Sequence, residues 1–507
     1  MGLRIFGLVV AGLLVVPAAR GASSLAPNII VIMVDDLDAW SLARAVGAGL
    51  MPNLRTGVID RGMTFVNSFV TNSLCCPSRA TFLTGQYSHN HGVLTNGGNN
   101  GGVTLLDDRS TVATWLQAAG YRTGYIGKYL NGYGADDVNG DGLNDMRDAQ
   151  YIPPGWNAWE TLIDPSTYLV YGYSFNDNGQ IVTYGHAPAD YQTDVLAARA
   201  VRFINASAGG TAPFFLALMP AAPHDQLWPG MPDADDVTDT WRWTIPPPPR
   251  YADTVSLSMP LPPSFNEADI SDKPPWMNYL PSLTGDDVAA VQRKYRNRLE
   301  AMRAVDDMIG SVLAALTSSG QLSRTVIIFT SDNGFLLGQH RTPGKLYPYE
   351  ESIRVPLTIA APGITSGQLA GQMVLNTDLA PTIVDLARAV PQRPMDGRSL
   401  TPVLQNNTLD WRRRFLIEHF ANDPRAPLDL PDFAAIRTES LVWVEHGDAN
   451  VTKEFYDLSV DPYELASLHN DPSSPRVFQR GALAPMLGHL RNCGNGSFQN
   501  VEFYIYR

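Results

Sequence analysis

Cysteine is scarce in this chain: three residues in 507, two of them adjacent at Cys75 and Cys76. So few exclude a disulfide-stapled scaffold and leave the fold to a hydrophobic core. Positive charge is also short, with 37 Lys and Arg against 50 Asp and Glu and a formal net charge of −13. A nucleic-acid binder needs a basic face, and this composition does not supply one. Beyond the N-terminus no apolar run is long enough to span a bilayer. What remains is ordinary for a globular protein, 44% hydrophobic and 17% charged, which permits a large core and excludes general disorder. At ~150 residues per domain, the length fits about three domains, or one large α/β domain with an appendage.

Residues 1–21 read as a secretory signal peptide. Arg4 gives a positive start, residues 5–16 an apolar stretch too short for a membrane anchor, and Ala19-Arg20-Gly21 a small-x-small cleavage site. The expected product is secreted or exported, whether extracellular, periplasmic or lysosomal, with neither nucleic acid nor membrane among its partners. Asn205, Asn406, Asn450 and Asn495 begin N-x-Ser/Thr sequons, which matter only in a host that glycosylates.

Along the chain, residues 28–34 (NIIVIMV) form a short, almost unbroken β-branched run, the pattern of a buried parallel strand, and stop at Asp35-Asp36. Residues 111–119 read as a helix closed by Gly120, and 123–126 as a strand running into Gly127-Lys128. A helix over 191–205 precedes a strand over 214–219, which leads to Pro223-His224. From 286 to 319, apolar residues three or four apart mark one face of a long helix. Residues 325–330 repeat the buried-strand pattern and end at Ser331-Asp332-Asn333. Such alternation predicts a mostly parallel sheet covered by helices on both faces, with any ligand site beyond the carboxyl ends of its strands. Four strand ends here carry polar groups: Asp35/Asp36, Lys128, His224 and Asp332/Asn333. One would be a routine turn; four on one rim read as a site. The Pro-rich stretch 225–284 is expected to be a surface excursion, and shorter β-type runs after about residue 400 a smaller subdomain.

The most specific segment is Cys75-Cys76-Pro77-Ser78-Arg79, followed by Phe82-Leu83-Thr84-Gly85. It resembles the sulfatase family, whose members share C-x-P-S-R, an apolar pair and T-G. The resemblance runs from about Pro27 to Asn470 and implies an α/β, alkaline-phosphatase-like sandwich: a large mostly parallel sheet flanked by helices over residues 26–400, plus a smaller C-terminal α+β subdomain over 401–507. It implies that a maturation enzyme oxidises Cys75 to formylglycine. When hydrated, that group offers two hydroxyls on one carbon, one to attack sulfur and the other to help eject sulfate. Asp35, Asp36, Asp332 and Asn333 match the family's metal ligands, an all-oxygen set suited to Ca²⁺ and less to Mg²⁺, with the residue-75 group completing the shell. Lys128 and Lys345, with Arg79, correspond to the groups that neutralise sulfate, and His224 to the general acid. Each of these residues alone would be a strand-end turn, a helix cap or a surface charge.

Gly127-Lys128-Tyr129-Leu130-Asn131 places Leu130 where many sulfatases carry a histidine, a departure for which Asn131 or His340 is a candidate substitute. The same segment, with Pro153-Pro154-Gly155-Trp156 and Asp272-Lys273-Pro274-Pro275-Trp276, resembles the branch of N-acetylglucosamine-6-sulfatases and extracellular and algal-type arylsulfatases. A sulfate-ester small molecule or a sulfated glycan is therefore the expected substrate. A phosphonate monoester or phosphodiester hydrolase of the same design, or a non-catalytic sulfated-glycan binder, are the alternatives. Asp137, Asn139, Asp141 and Asp148 stand at positions 1, 3, 5 and 12 of a calcium-loop spacing, which equally describes a polar turn. Trp241, Trp243 and Trp276 are candidates for ring stacking or for packing, and Cys76 with Cys493 for a disulfide that spacing alone does not define.

Overall fold

The computed structural model describes residues 26–135, 148–227, 240–421, 430–494 and Glu502. The strands are β1 Asn28–Val34, β2 Met63–Phe69, β3 Arg122–Gly127, β4 Ala158–Leu162, β5 Ser174–Asp177, β6 Gln180–Thr183, β7 Phe214–Met219 and β8 Thr325–Ser331. They continue with β9 Leu336–Leu337, β10 Pro343–Gly344, β11 Leu357–Ala360, β12 Gln368–Leu375, β13 Arg414–His419, β14 Phe433–Thr438, β15 Leu441–His446 and β16 Lys453–Asp457. Ten of them form one sheet in the order β12-β2-β11-β8-β1-β7-β3-β4-β5-β6.

The centre of this sheet is parallel, β1 pairing with β8 on one side and β7 on the other, and β7 in turn with β3. Every residue of β1, β7 and β8 is buried, as expected for strands covered on both faces. Because successive side chains alternate, Ile30, Ile32 and Val34 enter one core, under the helices Gln192–Ala208 and Gly285–Ser318, while Ile29, Val31 and Met33 enter another with Phe65, Trp115 and Trp159. The long helix begins where Thr284 caps it, its Oγ1 accepting from the Asp287 N–H. Antiparallel pairs enter on either side: β11 against β8 and β2, and β4 against β5 with β5 against β6.

Strands β13 to β16 form a separate antiparallel sheet backed by the helix Val477–Arg491 through Leu483, Leu487 and Leu490. Its core is shared with the large sheet, since Phe69, Val70 and Tyr349 pack with Phe415, Ile417 and Trp443. The predicted excursion is largely irregular between 240 and 284, with one short turn at Thr240–Arg242. The stretch predicted as a signal peptide, Asp137, Asn139, Asp141 and the Asn495 sequon lie outside the described residues, whereas Asn205, Asn406 and Asn450 are exposed. Among the described residues no helix is long and apolar enough to cross a membrane. Cys76 is fully buried and forms no disulfide.

Candidate active site

The four polar strand ends belong to neighbouring strands, β8, β1, β7 and β3, and their chains leave the sheet on one edge. Asp35 and Asp36 follow β1, and Asp36 turns the chain with a left-handed φ of 64°, a costly conformation for a residue with a side chain. That turn is held from both sides. The Asp36 N–H donates to Asp332 Oδ1 at 3.1 Å, and Arg298 donates to the Asp36 carbonyl and, at 3.0 Å, to that of Pro223.

Cys75 opens the helix Cys75–Thr84, all ten residues of which are buried. Pro77 therefore sits inside the first turn rather than at the helix start, and Gly85 closes the helix with φ 72°. The Cys75 Sγ lies 3.6 Å from Asp35 Oδ1 and 2.6 Å from Lys345 Nζ. Lys345 Nζ also reaches Asp36 Oδ1 at 2.5 Å, and Lys128 pairs with Asp35 Oδ2. Arg79 Nε binds Asp332 Oδ2 at 2.8 Å and its Nη1 donates to the Lys128 carbonyl at 2.8 Å, tying helix, β8 and β3 together. His224 Nε2 stands 3.4 Å from Asp36 Oδ2, with Nδ1 2.7 Å from the Asp225 carbonyl, so an Nδ1–H would fix the ring. All nine predicted site residues thus meet at one place.

Charge explains much of this geometry. Burial raises the Cys75 thiol to about 12, helped by Asp35. Burial also works against the ionised Asp35, yet Lys128, His224, Arg79 and Lys345 outweigh it and hold that carboxyl well below its usual range. Asp332 is raised to about 6 by burial and by Asp35, despite Arg79. Burial lowers His224, only partly offset by Asp36 and Asp35. Asp36 Oδ2 and Asn333 Oδ1 are buried without a hydrogen-bond partner, although Asn333 Nδ2 donates to Asp36 Oδ1 at 2.6 Å. Ligand atoms of Asp35, Asp36, Cys75 and His224 lie within 4.8 Å of one another. Unsatisfied carboxylate and amide oxygens, converging in a buried spot, fit a hard divalent cation.

Leu130 is packed in the core, and neither candidate substitute takes up a plain proton-shuttle position. Asn131 donates to Tyr168 Oη at 2.8 Å, and the Tyr168 ring lies tilted against His224, centroids 4.3 Å apart, and beneath Lys128 Nζ. His340 is buried in another cluster, with Glu267 at 2.6 Å and with Glu351 and Glu464. Trp241 packs in the core and Trp276 meets His446 edge-on, whereas Trp243 lines a pocket beside His224. Sequence reading overlooked Tyr168, Asp225, Lys294 and Arg298. The last two had a signal: cations four apart, each followed by an apolar residue (Tyr295, Leu299) of the long helix's buried face.

A polar rim at one edge of a large, mostly parallel sheet covered on both faces, with the buried helix Cys75–Thr84 set against it, is the alkaline-phosphatase-like architecture. Comparison with known proteins narrows the class. The sulfatase family model matches residues 27–389, and a model described as N-sulphoglucosamine sulphohydrolase, C-terminal, matches 338–487. The N-acetylglucosamine-6-sulfatase of Capra hircus is 32% identical over 491 residues, covering 89% of this chain and 81% of the relative. An arylsulfatase of Volvox carteri is 31% identical over 513 residues, covering 94% and 76%. A solved structure in complex with its substrate D-glucosamine-2-N,6-O-disulfate superposes with a TM-score of 0.70 at 25% identity, covering 92% of this chain and 97% of that one. The chain belongs to the sulfatase family and is a sulfatase enzyme.

Proposed function

We propose that the protein is an exported sulfuric ester hydrolase that cleaves sulfate monoesters, of the aryl sulfate or N-acetylglucosamine 6-sulfate type, through formylglycine at residue 75 beside a bound Ca²⁺. The observation that carries this reading is the Cys75 side chain, buried at a helix start between Lys345 and Asp35. Hydrated formylglycine would supply a hydroxyl to attack sulfur and a second to release sulfate. Asp35, Asp36, Asp332 and Asn333 would hold the calcium, which supplies charge neutralisation and polarisation of the ester.

The chain's own residues divide the remaining work. Asp35, Asp36 and Asp332 are matched by Arg79, Lys128 and Lys345, all in direct contact. A divalent cation added to that balanced set leaves positive charge for an anionic ester, even in a chain of net charge −13. Lys128 and Lys345 flank the nucleophile and neutralise the sulfate oxygens as charge develops. Side-chain exposure of 13% at Lys345 and 11% at His224, against 2% at Lys128, marks the side from which substrate enters. His224 stands on that entrance, where as an imidazolium, a form that Asp36 and Asp35 favour against burial, it would give its Nε2 proton to the leaving alcohol and become neutral. The Asp225 carbonyl would keep its other nitrogen protonated and the reactive nitrogen aimed inward.

The test compares 4-nitrophenyl sulfate with 4-nitrophenyl phosphate, bis(4-nitrophenyl) phosphate and a phenylphosphonate ester on one preparation. Sulfate turnover is expected to dominate and to vanish in Cys75→Ala. Preference for a phosphorus ester would overturn the reading.

A further inference from the structure

Asp225 does two things at once. Its carbonyl meets His224, and the residue lines the cavity beside that ring. The side chain is only 8% exposed, and its two oxygens are treated differently. Oδ2 accepts from Lys294 Nζ at 2.6 Å, a lysine itself held by the Thr240 carbonyl at 3.0 Å. Oδ1 is buried and has no hydrogen-bond partner. A carboxylate oxygen taken out of water without a donor is costly, and such atoms in native sites are normally met by a ligand or by solvent.

The surroundings say which donor suits it. The cavity, about 150 Å³, is bounded by Asp36, His224, Asp225, Trp243 and Phe335, with more apolar than polar surface. Asp36 and His224 connect it directly to the reacting centre. Lys294 lines the same space and already neutralises the carboxylate, so a cationic ligand is repelled and a neutral hydroxyl or amide N–H is favoured. Flat aromatic walls with one convergent acceptor are the usual equipment for a sugar ring, whose C–H faces stack while its hydroxyls donate.

We propose that Asp225 is the specificity-determining residue of the leaving-alcohol subsite: its unpaired Oδ1 accepts a hydrogen bond from a hydroxyl of the departing group, which makes a sugar sulfate, rather than a bare alkyl or aryl sulfate, the preferred substrate. The proposal rests on the sulfatase reading above and adds the identity of the alcohol half. Lys294 is a positioning residue that holds the carboxylate so that only one oxygen is available.

The experiment uses two esters of matched leaving group, N-acetylglucosamine 6-sulfate and cyclohexylmethyl sulfate, the second lacking every hydroxyl. The ratio of their kcat/KM values is measured for the matured wild-type enzyme and for Asp225→Asn and Asp225→Ala. The wild-type ratio is expected to favour the sugar, and in both variants to fall by about tenfold or more, because a site built to pair with a hydroxyl loses its discrimination with the acceptor. Reading a ratio keeps the result meaningful if a variant folds poorly, since loss of active protein lowers both rates together. A wild-type ratio near one, or a variant ratio within about threefold of wild type, overturns the assignment. Hydrolysis of neither ester and no turnover of 4-nitrophenyl sulfate would overturn the sulfatase reading, and this proposal with it; turnover of 4-nitrophenyl sulfate separates the two failures.

Discussion

Lys345 touches the Cys75 thiol and the Asp36 carboxylate and is partly exposed, so in the proposed mechanism it would serve nucleophile, metal and incoming ester together. Replacing it by alanine is expected to lower kcat by about 10² to 10³, the usual loss when one donor to a developing anion is removed. Steady-state kinetics on 4-nitrophenyl sulfate checks this, and a change confined to KM would contradict the role. A second residue-scale prediction concerns stability. Burial alone would lower His89, but the Glu418 carboxylate 2.6 Å away raises it to about 9, above the ~6.5 of an unfolded chain. The pair's contribution is therefore complete below pH ~6.5 and is lost as pH rises through about 9. The Tm difference between wild type and Glu418→Gln should shrink between pH 6 and pH 10; a constant gap would contradict the linkage. Asp35 and Asp332 were legible because each follows a strand with a strong apolar pattern, whereas Lys128, after the less apolar β3, was legible through the family resemblance. Asp225 and Lys294 were not, because one stands in a Pro-rich stretch and the other looks like a solvent charge until the helix is seen to be buried there.

Among the elements, legibility followed burial. β1, β7, β8 and the long helix lie in the middle of the molecule, covered on most sides, and their sequences carry nearly uninterrupted patterns. The strands at the margins were not foreseen. β12 contains Gly371 within a register irregularity between Ala370 and Met373, and β6 is mostly exposed, so neither shows a clean period. The C-terminal helix is an element whose worth can be measured. Leu487 is fully buried between it and the antiparallel sheet, and Leu487→Ala is expected to cost about 2–5 kcal/mol in urea unfolding. A loss under about 1 kcal/mol would show that the helix is not packed as described.

For the whole molecule, the organising fact is that one sheet edge concentrates balanced charge inside an acidic protein. The acidic set was readable from sequence; its exact balance with Arg79, Lys128 and Lys345 required the fold, because those cations come from separate segments. Calcium bound there would stabilise the folded chain, by about 2.7 kcal/mol at a hundred times its dissociation constant. Chelation with EGTA should therefore lower Tm, and added calcium restore it in wild type but not in Asp36→Asn. A Tm indifferent to chelation would contradict calcium at this site. The shared core of the two sheets also predicts that removing residues 401–507 exposes Phe69, Val70 and Tyr349 and leaves the remainder insoluble or partly unfolded. The proposed chemistry turns on residue 75, and the mass of the peptide that contains it, from active protein made by its native host, tests it. An aldehyde in place of the thiol is the expected result; an intact Cys75 thiol on most molecules of a fully active preparation would contradict the account.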